Sequence, residues 1–295
     1  MRSGTWLTSL ALLASASVAE AAPLAYGAAF DTLYQIDLAN GTTTLIGPIG
    51  FNDVEGLAIG PDGSLYGISD ASKTLIIIDK RTGRGVAIGG VNNNTGLLGQ
   101  GSGQFDALDF GLTFSCDGRL WASSDATRKF WELDPSTGVA RYVGYLSVQM
   151  TGLAARGDGV YGIGSGGDEA LYKIDLATGQ AHVRGSLLNG AQIADGGLDA
   201  DEQGNLWGVL DYQPIQENKP SDIVKIDRVT GASTKVATTR TEMEGLAIAP
   251  VRACGEDPVP RGPSPVSIPS LHDLGLALLG SLLALIGFFA IDRRR

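Results

Sequence analysis

Polar and apolar residues alternate along most of the chain in short runs broken by glycine-containing turns. Leu65-Tyr66-Gly67-Ile68, Val160-Tyr161-Gly162-Ile163 and Leu206-Trp207-Gly208-Val209 are typical runs, each following a turn such as Pro61-Asp62-Gly63 or Gly157-Asp158-Gly159. A two-residue period bounded by such turns predicts half-buried strands joined as hairpins. One turn element recurs five times: an aliphatic residue, Asp, two residues, Thr or Asn, then Gly. It stands at Ile36-Asp37, Ile78-Asp79, Leu133-Asp134, Ile174-Asp175 and Ile226-Asp227. The Asp carboxylate can accept backbone N–H groups two residues on, and Gly takes the positive φ that closes the turn. These aspartates are therefore turn formers. A second element, Gly-Leu opening an apolar strand, recurs at Gly56-Leu57, Gly111-Leu112, Gly152-Leu153, Gly197-Leu198 and Gly245-Leu246, spaced 41 to 55 residues apart.

A repeat of that length holding four strands has the size of a propeller blade. The fifth unit stops at Pro250 without its last strand. Tyr26-Gly27-Ala28-Ala29-Phe30-Asp31 at the start of the chain resembles Tyr66-Gly67-Ile68-Ser69-Asp70 and completes it. A chain start that finishes the unit begun by the chain end closes a ring and leaves no open edge, where a linear solenoid needs caps. The pattern resembles propeller repeats in general. It implies an all-β, five-bladed β-propeller over residues 22–254, with the N-terminal strand closing the last blade. Residues 91–106, rich in Gly and Asn and without aliphatic alternation, read as a long loop in the second unit; a degenerate sixth blade there is the alternative.

The two ends differ from this pattern. Residues 1–21 carry Arg2, an apolar stretch from Trp6 to Leu13, and Ala19-Glu20-Ala21, a small-x-small cleavage site. This is a secretory signal peptide. Residues 255–267 form a Pro-rich linker, extended and stiff. From Leu274 to Ile291 the chain is uncharged and long enough for a transmembrane helix, and Arg293, Arg294 and Arg295 fix the chain end in the cytoplasm. Ile268-Pro269-Ser270-Leu271, then Gly275, the apolar span and the terminal arginines resemble the IPTL-CTERM sorting signal of Gram-negative bacteria. Ser270 stands where the usual motif has Thr, and Leu274 where it has Trp. The resemblance covers residues 268–295. It implies processing by an exosortase-type membrane protease and delivery from the inner membrane to the cell surface or beyond.

Charge and cysteines add little chemistry. A net charge of −10 repels phosphate backbones and makes nucleic acid a poor partner; solubility accounts for it otherwise. Cys116 and Cys254 are the only cysteines. That excludes a disulfide-rich scaffold and a zinc cluster. An oxidising compartment permits one Cys116–Cys254 bridge as well as two separate thiols.

Ligands of propellers sit at the channel mouth or on the loops of one face. By analogy, the residue before each Gly-Leu lies near the axis: Glu55, Phe110, Thr151, Gly196 and Glu244. Glu55 and Glu244, on neighbouring blades, are candidate calcium ligands through their oxygens; the alternative is a pair of solvated rim residues. Some propeller lactonases share Glu-Gly strand starts and hold a divalent metal in a Glu/Asn/Asp ring. Here three of five positions are Phe, Thr and Gly, and Asp195 lies one residue out of register, so the ring is not reproduced. Asp195, Trp121 and Trp207 are candidate ligand-binding residues. Trp131, Tyr66 and Tyr161 share their strand placement, which blade packing also explains. His182 reads as an exposed strand residue, so no Ser-His-Asp or Cys-His set can be built, and no phosphate loop opens a helix. The sequence thus favours a surface propeller that binds a protein, glycan or extracellular polymer without catalysis. A metal-dependent hydrolase or lyase at the channel mouth is the alternative. The mature chain is expected to begin at Ala22; intact-mass measurement of the protein recovered from its native host checks this.

Overall fold

A computed structural model describes residues 23–89, 109–187, 192–214 and 217–249. The signal peptide, the 91–106 loop, Cys254, the linker, the sorting motif and the 274–291 span lie outside them. Among the described residues there are twenty strands and no α-helix, hence none long and apolar enough to cross a membrane.

The strands form five antiparallel four-stranded sheets. The second sheet comprises β4 (Val54–Ile59), β5 (Leu65–Ser69), β6 (Thr74–Ile78) and β7 (Gly85–Ala87). The third comprises β8 (Phe110–Phe114), β9 (Leu120–Ser124), β10 (Lys129–Leu133) and β11 (Ala140–Tyr145). The fourth comprises β12 (Met150–Arg156), β13 (Gly159–Gly164), β14 (Ala170–Ile174) and β15 (Ala181–Ser186). The fifth comprises β16 (Ile193–Ala200), β17 (Leu206–Tyr212), β18 (Pro220–Ile226) and β19 (Ser233–Thr241). In the first sheet, β1 (Leu24–Ala29), β2 (Thr32–Asp37) and β3 (Thr43–Pro48) come from the chain start, and β20 (Gly245–Ala249) comes from its end. β20 pairs antiparallel with β1, Gly27 opposite Leu246, so the two chain ends share one blade. The inner strands β4, β8, β12, β16 and β20 touch in succession, and β20 returns to β4. This is a closed five-bladed β-propeller.

The Gly-Leu element explains the inner ring. A Cβ on Gly56 would lie 2.7 Å from the carbonyl oxygen of Phe110 on the next blade. On Gly111 it would lie 2.8 Å from that of Thr151, on Gly152 2.8 Å from that of Gly196, and on Gly197 2.7 Å from that of Glu244. On Gly245 it would press still closer on the carbonyl of Glu55. Each inner strand thus seats its glycine on the backbone of the next, which no side chain permits. The leucine beside it enters the hydrophobic layer between blades; Leu57, Leu112, Leu153, Leu198 and Leu246 are all buried.

The Asp-x-x-Thr-Gly turns act at the outer edge. The carboxylates of Asp37, Asp79, Asp134, Asp175 and Asp227 each accept the N–H two residues on, at 2.8–2.9 Å. Their glycines adopt φ of 73–81°. The Thr carbonyls at 82, 178 and 230 abut Gly47, Gly144 and Gly185 on the outer strand of the preceding blade. The motif is therefore both a hairpin and a latch between blades. At another turn, Cys116 is disulfide-bonded.

Gly197→Ala is expected to cost about 3 kcal/mol or more, because backbone faces the new methyl and cannot yield. Gly63, at φ +80° with open space around it, is expected to lose only about 1 kcal/mol as Ala. Urea unfolding of the two variants tests the contrast.

Candidate metal centre

Carboxylates converge where the inner strands begin. Ligand oxygens of Glu55, Asp195 and Glu244 all lie within 4.8 Å of one another. A second group, Glu55, Asp70 and Asp109, meets the same condition, as does a third, Asp211, Glu242 and Glu244. Glu55 and Glu244 link the three. Glu55, Asp70, Asp195 and Asp211 are buried, and Asp109, Glu242 and Glu244 half-buried.

Local backbone puts these side chains there. The pairing register shifts between Val54 and Leu57 in β4 and between Ile193 and Gly196 in β16. Such bulges re-aim side chains near strand ends. The shift in β16 turns Asp195 toward Glu55 and Glu244 although it stands one residue earlier in its repeat. Asp195, one residue out of register in its repeat, thus lies beside Glu55 and Glu244. Asp109, just ahead of β8, whose pairing has no register shift, comes beside Glu55 and Asp70 from one residue before Phe110. Phe110 itself is buried; its N–H donates to Glu55 Oε2 at 3.0 Å, and its ring meets Trp131 edge-on. Thr151, also buried, exchanges hydrogen bonds of 3.1 Å with the Gly196 backbone. Below this level the axis is nearly closed: the cavity among Glu55, Gly56, Phe110, Gly111, Gly197 and Glu244 measures ≈ 10 Å³, about one water.

Asp70, Asp125 and Asp211 went unnoticed in the sequence. They occupy one repeat position, five residues after Leu65, Leu120 and Leu206, and Ser165 holds it in the fourth blade after Val160. That recurrence was the available signal.

The electrostatics are those of acids crowded away from water. Burial drives the Glu55, Asp195 and Glu244 carboxyls well above the carboxylate range, and neighbouring acids add to it: Asp109, Asp195 and Glu244 for Glu55, Asp109 and Glu244 for Asp195, and Asp109 and Glu242 for Glu244. Asp109 is raised by burial and hydrogen-bonds both Glu55 and Asp125. Asp125 is pushed up to about 9, by burial first and Asp109 second. Burial also raises Asp53, Asp211 and Glu242. Two charges within 4.8 Å of each other repel by about 3 kcal/mol or more at an effective dielectric of 20. The cluster therefore calls for protons or a cation. Its donors are all oxygens, which suits a hard divalent ion such as calcium and not zinc or copper.

Other candidates lie elsewhere. Trp121 and Trp207 are buried between blades, their indole N–H groups held by Ser115 Oγ at 2.7 Å and Asp201 Oδ2 at 2.9 Å. Stacking of ligand on either is thereby corrected: blade packing consumes both rings. Tyr161 and Trp131 are buried as well. His182 is exposed on β15.

Neither a protein-family model nor a curated protein sequence matches the chain. Solved structures similar in fold include a gluconolactonase from Xanthomonas campestris, at 16% identity over 76% of this chain and 79% of that one (TM-score 0.45). A chain from a nidogen/laminin complex matches at 13% identity over 78% and 99% (TM-score 0.49). A virginiamycin B lyase from Staphylococcus aureus matches at 16% over 70% and 62% (TM-score 0.41). At such identities the likeness extends to the fold alone.

Raised carboxyls make the metal-free protein most stable in acid. Their contribution is complete below the unfolded values, near 4, and is lost as pH rises through the folded values, up to about 9 for Asp125. In chelator, Tm should therefore fall between pH 5 and pH 9, and calcium should remove most of that fall. A chelated protein that gains stability over this range would contradict the assigned electrostatics. Differential scanning calorimetry reads both.

Proposed function

We propose that this chain is an exported, surface-sorted propeller that uses a divalent cation at its channel mouth and acts there as a metal-dependent hydrolase or lyase. The observation that carries the reading is the convergence of Glu55, Asp195 and Glu244 oxygens within 4.8 Å at the axial end of the inner strands. Keeping such acids together away from water is costly, and groups so perturbed concentrate at functional sites. Glu55, Asp195 and Glu244 would hold the ion, leaving coordination positions toward the mouth. A bound cation of this class polarises a carbonyl or carboxylate oxygen of a substrate. Asp109 is hydrogen-bonded to both Glu55 and Asp125, and Asp125, pushed up to about 9, holds a proton at neutral pH. A carboxyl that holds its proton can serve as an acid.

The sequence alone favours a non-catalytic binding module. Such a module calls for a loop face with exposed aromatics, whereas the described aromatics at strand positions are largely packed inside. Tyr142 and Tyr145 are exposed on the outermost strand β11, and Phe30 is exposed in the β1–β2 turn. Export supplies the setting: a signal peptide, a membrane-anchored stage, recognition by an exosortase-type protease, and a substrate among extracellular esters, lactones or polymers rich in oxygen.

Calorimetric titration of calcium into the full chain tests the centre. Wild type should bind, and Glu55→Gln and Asp195→Asn should weaken binding at least a hundredfold. A panel of lactones, aryl esters and uronate polymers, assayed in chelator and after calcium is restored, tests catalysis. Calcium-restored turnover lost in both variants is expected. Absence of heat sinks the metal centre; heat without turnover across the panel returns the protein to the binding class.

A further inference from the structure

The first blade is joined differently from the other four. β4, β8, β12 and β16 each turn directly into the second strand of their own sheet, whereas β20 enters the first sheet from the far end of the chain. It is the terminal strand of that sheet, and five residue pairs with β1 hold it there. Glu244 stands immediately before it, and Gly245 seats on the carbonyl of Glu55. A short strand near a chain end is where a sheet frays first. Fraying of β20 would carry Glu244 away from Glu55 and Asp195.

Cys116 lies where it can prevent this. It is disulfide-bonded, and Cys254 is the only other cysteine of the chain. The Cys116 turn, at the far end of β8, stands against the second blade. Phe114 meets the Tyr66 ring edge-on at 5.1 Å, and a Cβ on Gly118 would lie 3.9 Å from Pro61 Cγ. β20 also ends on this face, with Ala249 opposite Leu24 and packed on the cluster that includes Ile59 at the end of β4. From Ala249 the chain has five residues in which to reach Cys254, about 17 Å when extended, and a disulfide spans about 5.5 Å more between Cα atoms. Packed sheets lie about 10 Å apart, so the third blade is within that reach of the first.

We propose that Cys116 and Cys254 form a clasp that passes beneath the second blade and pins the end of β20 to the third. The clasp keeps the ring closed and Glu244 in the centre. Its effect on cation binding rests on the reading of the triad as a cation site; the clasp itself does not. Forming the bond takes two protons and two electrons from the thiols, passed by exchange to a protein disulfide of an oxidising compartment. The loop so closed contains β9 to β20, and reduction releases all of it. A thiol reductant therefore opens the clasp and loosens the centre together.

Full-length protein recovered from an oxidising compartment is digested without reduction and its peptides are mapped by mass. A linked pair carrying Cys116 and Cys254 is expected; free thiols at both, or a dimer linked through Cys116, overturns the clasp. In Cys254→Ser, amides of residues 24–29 and 245–249 should exchange with deuterium about tenfold faster or more, those of residues 160–163 hardly faster. Tm should fall by about 5 °C or more. Exchange equal to wild type, or accelerated alike in every blade, also overturns the clasp. Calcium should bind the variant about tenfold more weakly, and unaltered affinity overturns the hold on Glu244. Absence of calcium binding by wild type overturns the cation centre and leaves the clasp to the mapping and exchange results. Reductant added to folded wild type gives the same readouts should the variant fail to fold.

Discussion

Backbone-to-backbone contact between inner strands is the constraint on which the rest of this propeller depends. Five blades leave less room around the axis than a larger ring, so each inner strand must press directly on the next. The glycines at 56, 111, 152, 197 and 245 meet that demand, because a Cβ at any of them would strike a carbonyl of the following strand. The contact sets the pitch of the ring and reduces its middle to a cavity of ≈ 10 Å³. It also fixes which residues face the mouth. The carbonyls that receive the glycines belong to Glu55, Phe110, Thr151, Gly196 and Glu244, so the packing device and the candidate centre share one stretch of backbone. A side chain at the glycine would therefore disturb both.

Closing the axis has an electrostatic consequence. With almost no water beneath them, carboxylates at strand starts lose solvation from below and must find it at the mouth or from a ligand. In most proteins such crowding would be relieved by Arg or Lys. Here Lys73 reaches Asp70, while the charges that act most strongly on Glu55, Asp195 and Glu244 are other acids. In the fourth blade, Thr151 and Ser165 stand where Glu55 and Asp70 stand in the second. These hydroxyls bring oxygen without charge, so the field at the mouth is lopsided. A ligand carrying negative charge would be drawn to a cation there and lie over the neutral sector.

Much of this was legible in the sequence, and the reason is locality. The Asp-x-x-Thr-Gly turn and the Gly-Leu strand start are each written within six residues, and five copies make them unmistakable. Ring closure was legible because Tyr26-Gly27 repeats Tyr66-Gly67. What the sequence hid were features created by register. Asp195 looks misplaced until the bulge in β16 re-aims it, and Asp109 hides behind Phe110, which occupies the expected axial position but packs into the core. The aspartates at 70, 125 and 211 recur at a fixed offset, yet nothing local says that the ends of second strands crowd around the same axis. For Trp121 and Trp207, composition gave the ring and not its burial, which depends on the neighbouring blade.

The same residue type serves opposite purposes in the two halves of each blade. Asp79, Asp134, Asp175 and Asp227, exposed at the outer turns, have their carboxyls lowered chiefly by hydrogen bonds from backbone N–H groups or nearby hydroxyls. They hold their charge more readily than free carboxylates do. Asp109, Asp125 and Asp195, at the mouth, are raised by burial and by one another. The net charge of −10 is therefore not one surface property. Its outer share keeps the protein in solution and shapes turns. Its inner share is a concentrated demand for positive charge, which protons or a cation can meet. Solubility explains the first population and offers no account of the second, because buried acids do not face solvent.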